Sequence, residues 1–280
     1  MKEALRKLLY RAARSYVAGP ELSDAIAFAQ SLETEGLSST IAYWNAVGED
    51  PGHILASYLA AIDRAADGHV RTYVSIKAPA LGMSAESVDA LAARCAERNI
   101  GLHFDSLAVE HQAGIFELIE RARTSNATLG CTLPGRFQRS IDDAELAVAR
   151  QLRVRVVKGQ WADPHHAIEP RAGFMSVIER LAGRAARVSV ATHDPALAEE
   201  ALALLRSRGT PADLELLLGL PVRRVREVAQ RLAAPVRMYI PYGYAWLPYS
   251  VSAARKNPRI LLWILEDALR GGSLRTGRRP

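Results

Sequence analysis

The feature that most constrains this chain is a strict alternation, repeated eight times, of short β-branched runs with longer Ala/Leu/Arg stretches of helical period. The runs are Ser38 to Tyr43, Arg71 to Lys77, Ile100 to Asp105, Ala127 to Leu133, Arg153 to Lys158, Arg187 to Thr192, Asp213 to Leu218 and Val236 to Ile240. Between them lie Asp50 to Ala66, Ser84 to Arg98, Leu107 to Arg123, Ser140 to Gln151, Phe174 to Arg184, Pro195 to Arg208 and Val222 to Ala233, with Asn257 to Arg270 after the last run. Strands separated by whole helices pair in parallel, because only a long crossover returns the chain to start the next strand in the same direction. Eight such units in 280 residues predict a single α/β domain, a (β/α)8 barrel with extra N-terminal helices and a C-terminal helix. It is expected over residues 1–272, with a flexible basic tail over 273–280. A doubly wound open sheet is the competing arrangement, but neither GxGxxG nor GxxxxGK(S/T) follows any run.

Composition removes other classes. With 49% hydrophobic and 24% charged residues, the chain has the apolar material for a sizeable core. Its two cysteines, Cys95 and Cys131, make neither a disulfide framework nor a cysteine-rich zinc site, which predicts a reducing, cytoplasmic setting. The longest strongly apolar run, Ile260 to Leu265, falls far short of the roughly 20 residues of a membrane-spanning helix. The opening stretch sets Lys2, Arg6, Lys7, Arg11 and Arg14 around Leu5, Leu8, Leu9 and Tyr16. Such a basic amphipathic helix either covers one end of the core or makes peripheral contact with the inner membrane face. The net charge is +6, but Arg270, Arg275, Arg278 and Arg279 sit at the end of the chain. The body is therefore nearly neutral, and with aromatics at 6% no nucleic-acid partner is expected.

In a barrel of this kind the site is built where the strands end. The ends carry Trp44-Asn45, Lys77, Asp105, Pro134-Gly135, Lys158-Gly159-Gln160-Trp161, Thr192-His193-Asp194, Gly219 and Pro241-Tyr242-Gly243. Ionisable groups gather there while the strand bodies read as Val, Ile and Leu, a contrast that points to an enzyme. Lys77 fits a substrate anchor, a Schiff-base nucleophile or one half of an ion pair with Asp105. Asp105 shares strand parity with His103, and with His193, His165 and His166 this leaves a metal-dependent hydrolase open. Arg155 alternates with Val157 and Gly159, which aims a guanidinium into the barrel, where it needs an anionic or flavin-like acceptor.

Taken in order, the strand-end motifs resemble the proline dehydrogenase family. Tyr16-Val-Ala-Gly19, Gly36 and Gly48-Glu49 look like its opening segment, and Val74-Ser-Ile-Lys-Ala-Pro-Ala-Leu-Gly82 is similar to its SIK strand. Phe104-Asp105 corresponds to its third-strand aspartate, Arg155-Val-Val-Lys-Gly159 to its RLVKGAYW, and Ala191-Thr-His-Asp194 to its ATHN. Val236-Arg-Met-Tyr-Ile-Pro-Tyr-Gly243 with Trp246-Leu-Pro-Tyr249 matches its VRVYVPYG and following W.PY. The resemblance implies a barrel holding FAD at its mouth and hydride transfer from the carbon beside the nitrogen of proline, or a related cyclic or secondary amine, to flavin N5. A quinone or another acceptor then takes the electrons. It also implies catalytic roles for Lys77, Asp105, Arg155 and Tyr239, and cofactor contacts from Arg155, Val157, Gly159, Trp161, Thr192 and His193. Tyr249, Ser252, Arg255 and Lys256 fall on the substrate-binding segment.

The chain departs from the family at the substrate. Two adjacent arginines grip the substrate carboxylate in the family's YLxRRxxEN segment, and here Ser252 and Ala253 stand in their places, with Lys256 in place of the glutamate. The tyrosine and tryptophan of RLVKGAYW become Trp161 and Ala162, and Pro134 replaces the fourth-strand glutamine. Losing two charge-assisted contacts at about 1.5–3 kcal/mol each weakens recognition of a free carboxylate by roughly a hundredfold or more. Arg255, one helical turn beyond Ser252, is a single substitute. A flavin-free binding or regulatory barrel and a Schiff-base lyase using Lys77 or Lys158 remain alternatives.

Overall fold

The computed structural model describes residues 18–125 and 127–243. The predicted opening helix, the Asn257 to Arg270 helix and the basic tail lie outside the described residues. So do Tyr249, Ser252, Arg255 and Lys256.

All eight expected strands form, as β1 (Ser38–Tyr43), β2 (Thr72–Ile76), β3 (Gly101–Phe104), β4 (Leu129–Pro134), β5 (Arg153–Val157), β6 (Arg187–Ala191), β7 (Ala212–Leu217) and β8 (Val236–Tyr242). They pair in parallel in sequence order, and β8 closes on β1 from Ser38↔Arg237 to Tyr43↔Tyr242. β8 runs past its predicted end because the Tyr242 carbonyl accepts from the Trp44 amide at 2.7 Å, extending the ladder beyond Pro241. The eight strands alternate with α1 (Leu22–Thr34), α2 (Pro51–Asp67), α3 (Ala85–Arg98), α4 (Gln112–Ala122), α5 (Ser140–Ala149), α6 (Pro170–Leu181), α7 (Pro195–Ser207) and α8 (Arg223–Arg231).

Capping sets where several helices start. The side chains of Asp50, Ser84 and Asp194 accept from His53, Ser87 and Ala196 amides at 3.0, 3.1 and 3.1 Å, satisfying first-turn donors that have no partner within the helix. Helix α6 begins four residues before the expected Phe174 because Glu169 accepts from the Arg171 and Ala172 amides and Pro170 fits the first helical position. Helix α4 starts later than the expected Leu107, after a 3-10 turn over Val109–His111. Helix α1 packs Ala25, Ile26, Phe28, Ala29 and Leu32 into the core and lies against β1 and β8, where it covers the closing seam.

The two faces of the barrel wall differ sharply. Toward the helices the strands present Ile41, Val74, Leu102, Leu133, Val156, Val190, Leu216 and Ile240, all buried in one apolar layer. The alternate residues face inward, as strand pleating requires, and many are polar and buried: Thr40, Ser75, His103, Thr132, Arg155, Ser189 and Glu215. The expectation of apolar strand bodies therefore holds only for the helix-facing side. A purely aliphatic barrel core is replaced by a hydrogen-bonded one, in which Thr40 of β1 donates to Glu215 of β7 at 2.8 Å across the interior.

Two glycines make room for this interior. A Cβ on Gly101 would lie 2.9 Å from Tyr73 Cβ, and one on Gly130 would lie 2.6 Å from His103 Nδ1 and 2.9 Å from the Arg153 carbonyl. The space they leave is filled by the Tyr73 and His103 rings, stacked with centroids 5.4 Å apart. Gly130→Ala is accordingly expected to lower stability by about 1–3 kcal/mol through overpacking, seen as an earlier midpoint in urea denaturation with little change in slope.

Candidate active site

The C-terminal ends of the strands enclose a cavity of about 390 Å³, within the usual range for small-molecule sites. Each predicted site residue among the described ones lines it: Lys77, Asp105, Arg155, Val157, Gly159, Trp161, Thr192, His193 and Tyr239. They come from β2, β3, β5, β6 and β8 or the loops that follow, so parallel closure brings together residues as far apart in sequence as Lys77 and Tyr239.

Arg155 is the centre of the floor. Its Nε and Nη2 donate to Glu215 Oε2 and Oε1 at 2.9 and 2.8 Å, a bidentate pair, and its Nη1 donates to Asp105 Oδ1 at 2.6 Å. The acceptor that sequence reasoning sought in a ligand is thus supplied by the chain itself. Asp105 also accepts from Ser75 Oγ at 2.8 Å and from the Tyr239 hydroxyl at 2.9 Å. Glu215 further accepts from Thr40 at 2.8 Å and Tyr73 at 3.2 Å. Burial pushes the Glu215 carboxyl up, but the Arg155 guanidinium in contact with it outweighs this and holds it below the usual range. Burial opposes the charge of Arg155 as well, and the two carboxylates restore it, raising its proton affinity well above normal.

Lys77 does not pair with Asp105. Its Nζ donates to the Tyr43 carbonyl at 2.8 Å and sits 6.0 Å from the Trp44 ring centroid. Burial lowers its pKa to about 8, against an upward pull from Asp105. Burial raises the Tyr239 hydroxyl well above its ordinary range, and Asp105 adds to the shift, so the phenol stays protonated and donates to that carboxylate.

His193 has both ring nitrogens committed. Nδ1 lies 2.9 Å from the Pro221 carbonyl, and Nε2 accepts from the Leu217 amide at 3.0 Å. These partners fix a neutral imidazole with its proton on Nδ1, and burial lowers its pKa to about 4. His193 therefore ties the end of β6 to β7 and offers the cavity the surface of its ring. His103 is similarly occupied, with Nε2 2.8 Å from Thr132 Oγ1. His166 is half-exposed in the loop after β5, 3.4 Å from Asp163. Among the described residues no group of three or more His, Cys, Asp or Glu side chains is placed to hold a metal.

Gly159 holds φ +94°, and a Cβ there would meet Pro134 Cβ at 3.0 Å and Arg136 Cβ at 3.4 Å. Only glycine takes this backbone without strain, and it lines the cavity beside Val157 without a side chain. Trp161 is 40% exposed at the rim. Glu215, Ser75, Thr40 and Tyr73 are the site-supporting residues that sequence reasoning missed. The signal was present in β7, where Asp213 and Glu215 recur at period two in a strand covered on both faces.

The chain is thus a closed (β/α)8 barrel with an inward-facing ionic floor beneath a mostly apolar mouth at the strand ends. No family model matches the chain. Over 97% of its length it is 24% identical to the proline dehydrogenase of Deinococcus radiodurans, covering 94% of that protein. It is 21% identical to proline dehydrogenase 1 of Bacillus subtilis strain 168, over 92% of this chain and 91% of that one. Among solved structures, proline utilization A from Bdellovibrio bacteriovorus, inactivated by N-propargylglycine, matches with a TM-score of 0.76 at 14% identity over 89% of this chain. A variant of the Bradyrhizobium japonicum protein matches with a TM-score of 0.66 at 16% identity over 86% of this chain. The chain spans 33% and 32% of the length of those two solved chains. The chain is thus similar, at low identity and over nearly its whole length, to curated proline dehydrogenases.

The floor makes a thermodynamic prediction. Arg155→Met leaves Glu215 and Asp105 buried without their cation, an expected loss of about 3–5 kcal/mol, whereas adding Glu215→Met to it should recover a sizeable part. Urea unfolding of the two single variants and the double variant measures the coupling. Additive losses would show that the pair does not act as a unit.

Proposed function

We propose that this chain is an FAD-dependent dehydrogenase that removes hydride from the carbon beside the nitrogen of proline or a related cyclic or secondary amine. The carrying observation is the convergence of Lys77, Asp105, Arg155 and Tyr239 on one strand-end cavity in a chain similar over nearly its full length to curated proline dehydrogenases. The residues present fit a planar ring: Val157 and the side-chain-free Gly159 line the cavity beside Pro134, which a Cβ at Gly159 would meet at 3.0 Å, and Thr192, the neutral His193 ring and Trp161 line the same cavity. When bound, FAD supplies the hydride acceptor and delivers the electrons to a quinone or another acceptor.

The chain's own part is to bind and orient the amine and to manage its proton. Arg155, Ser75 and Tyr239 occupy Asp105 from three directions, which fixes the carboxylate and the Tyr239 ring as rigid walls of the substrate space. Burial lowers the Lys77 pKa to about 8, and the role assigned to its Nζ in this reading is to accept, in its neutral form, the proton that an ammonium substrate must lose. The same lowered pKa supports a second reading, a Schiff-base lyase, which borohydride trapping of a carbonyl substrate on Lys77 would distinguish.

Adding excess FAD to the purified chain is expected to give saturable uptake, and anaerobic addition of a cyclic secondary amine is expected to bleach the visible flavin band. Lys77→Met should slow bleaching by about a hundredfold or more while leaving FAD uptake near wild type. Failure to take up flavin would leave the flavin-free barrel as the better reading.

The substrate's carboxylate is a separate question. Ser252 and Ala253 supply no planar, bidentate guanidinium, so free L-proline should turn over poorly. Ser252→Arg with Ala253→Arg should raise kcat/KM for L-proline about tenfold if only about 1.4 kcal/mol of transition-state binding is regained. Steady-state oxidation with an artificial acceptor measures this, and brisk wild-type proline oxidation lost in Arg255→Ala would assign the carboxylate to Arg255 instead.

A further inference from the structure

We propose that the opposite, N-terminal mouth of the barrel is a second binding site, for a phosphate group, formed by Arg153, Arg187 and Arg237. The three arginines stand on β5, β6 and β8 around Asp213 of β7, each with a guanidinium nitrogen 3.7 Å from Asp213 Oδ2. That separation gives Coulomb attraction but no hydrogen bond. Three guanidiniums facing one carboxylate leave positive charge in excess at this mouth, the complement of a phosphate anion. The floor near the other mouth contrasts with this, since there Arg155 alone faces two carboxylates in contact.

The hydrogen-bonding census points the same way. Arg153 Nε and Nη2, Arg237 Nε and Asp213 Oδ1 are buried without a hydrogen-bond partner. Orphaned guanidinium N–H groups are costly at this depth, because they have given up water without gaining an acceptor. Asp213 is 2% exposed and Arg237 9%, while Arg153 and Arg187, at 24% and 41%, open the group to solvent. The guanidinium carbons of Arg153 and Arg237 each lie 4.4 Å from the Tyr73 ring centroid, and Arg237 also donates to the Ser39 carbonyl. The two forks are thus held in place before any ligand arrives, which reduces the ordering entropy of binding. Like charges held together depress the proton affinity of Arg153, burial being the larger cause and Arg237 adding to it, and an incoming oxyanion relieves that repulsion. Planar forks with free N–H edges suit a tetrahedral oxyanion.

Inorganic phosphate and a short phosphomonoester are the probes, titrated by calorimetry into the full-length protein at constant ionic strength held with chloride. One phosphate per chain is expected, with a rise in melting midpoint of about 3 °C or more near saturation. Arg153→Gln and Arg237→Gln should each weaken binding about tenfold or more, and Arg187→Gln, at the solvent-exposed rim where folding is least at risk, should also weaken it. A monoester binding as tightly as phosphate, or more tightly, identifies the ligand as an organic phosphate, and phosphate alone identifies the free ion. Stabilisation matched by chloride at the same ionic strength, or affinity unchanged in Arg187→Gln and Arg153→Gln, would overturn the proposal.

Discussion

The structure turns on one buried guanidinium. Taking Arg155 out of water is affordable only because Glu215 grips it bidentately and Asp105 takes its remaining fork. Those two carboxylates must then be satisfied in turn, which calls Thr40, Tyr73, Ser75 and Tyr239 to the barrel interior. Glycines at 101 and 130 follow from the same demand, since the aromatic members of the lining need the volume that a Cβ would occupy. The site residues at the mouth inherit their positions from this chain of obligations. Asp105 is held by its partners on β5, β2 and β8, and Tyr239 by Asp105.

The two ends of the barrel are built on opposite electrostatic plans. At the C-terminal end, Arg155, Asp105, Glu215 and Tyr239 each have short, directed partners, and burial lowers the pKa of Lys77 in the lining to about 8. At the N-terminal end, cations outnumber the anion and distances stay long. A satisfied network rigidifies, whereas an incompletely satisfied one stores interaction energy for a further partner. The division matches a barrel in which one end presents a shaped, mostly apolar cleft and the other a concentration of positive charge.

Much of this was legible in the residues. The eight strands and their parallel order followed from the alternation of Val/Ile-rich runs with helical stretches. The strand ends carried the residues that line the cavity, from Lys77 to Tyr239. What escaped was the inside of the wall. A strand such as Asp213-Leu-Glu-Leu-Leu217 shows its alternation plainly, but which face meets the helices is set by closure of the whole sheet, and a charged residue in mid-strand is ordinarily assigned to solvent. Glu215 was missed for that reason, and Arg155 was left seeking a ligand that its own chain provides. His193 was assigned to the cofactor by the resemblance to the ATHN motif, which says nothing of what its ring nitrogens meet. Only the fold reveals the Pro221 carbonyl and Leu217 amide that occupy them. Helix α1 was not delimited because its N-cap position holds Glu21 in place of the usual Ser, Thr, Asp or Asn, so that its capping box with Asp24 reads in reverse of the common pattern.

The interior network also bears on how the molecule comes into being. Its hydrogen bonds join Thr40 to Glu215 across 175 positions and Asp105 to Tyr239 across 134, so Asp105 gains its arginine, and Glu215 its full set of donors, only when early and late parts of the chain have met. A half-barrel of the first four units would bury Asp105 with no arginine beside it, and the last four would bury Arg155 with half its acceptors missing. Each half by itself leaves part of the network without a partner. Such long-range closure entropy slows assembly and makes it collective. Closure of the barrel and completion of its interior network are thereby coupled, through a few atoms at its axis rather than through the oily shell around it.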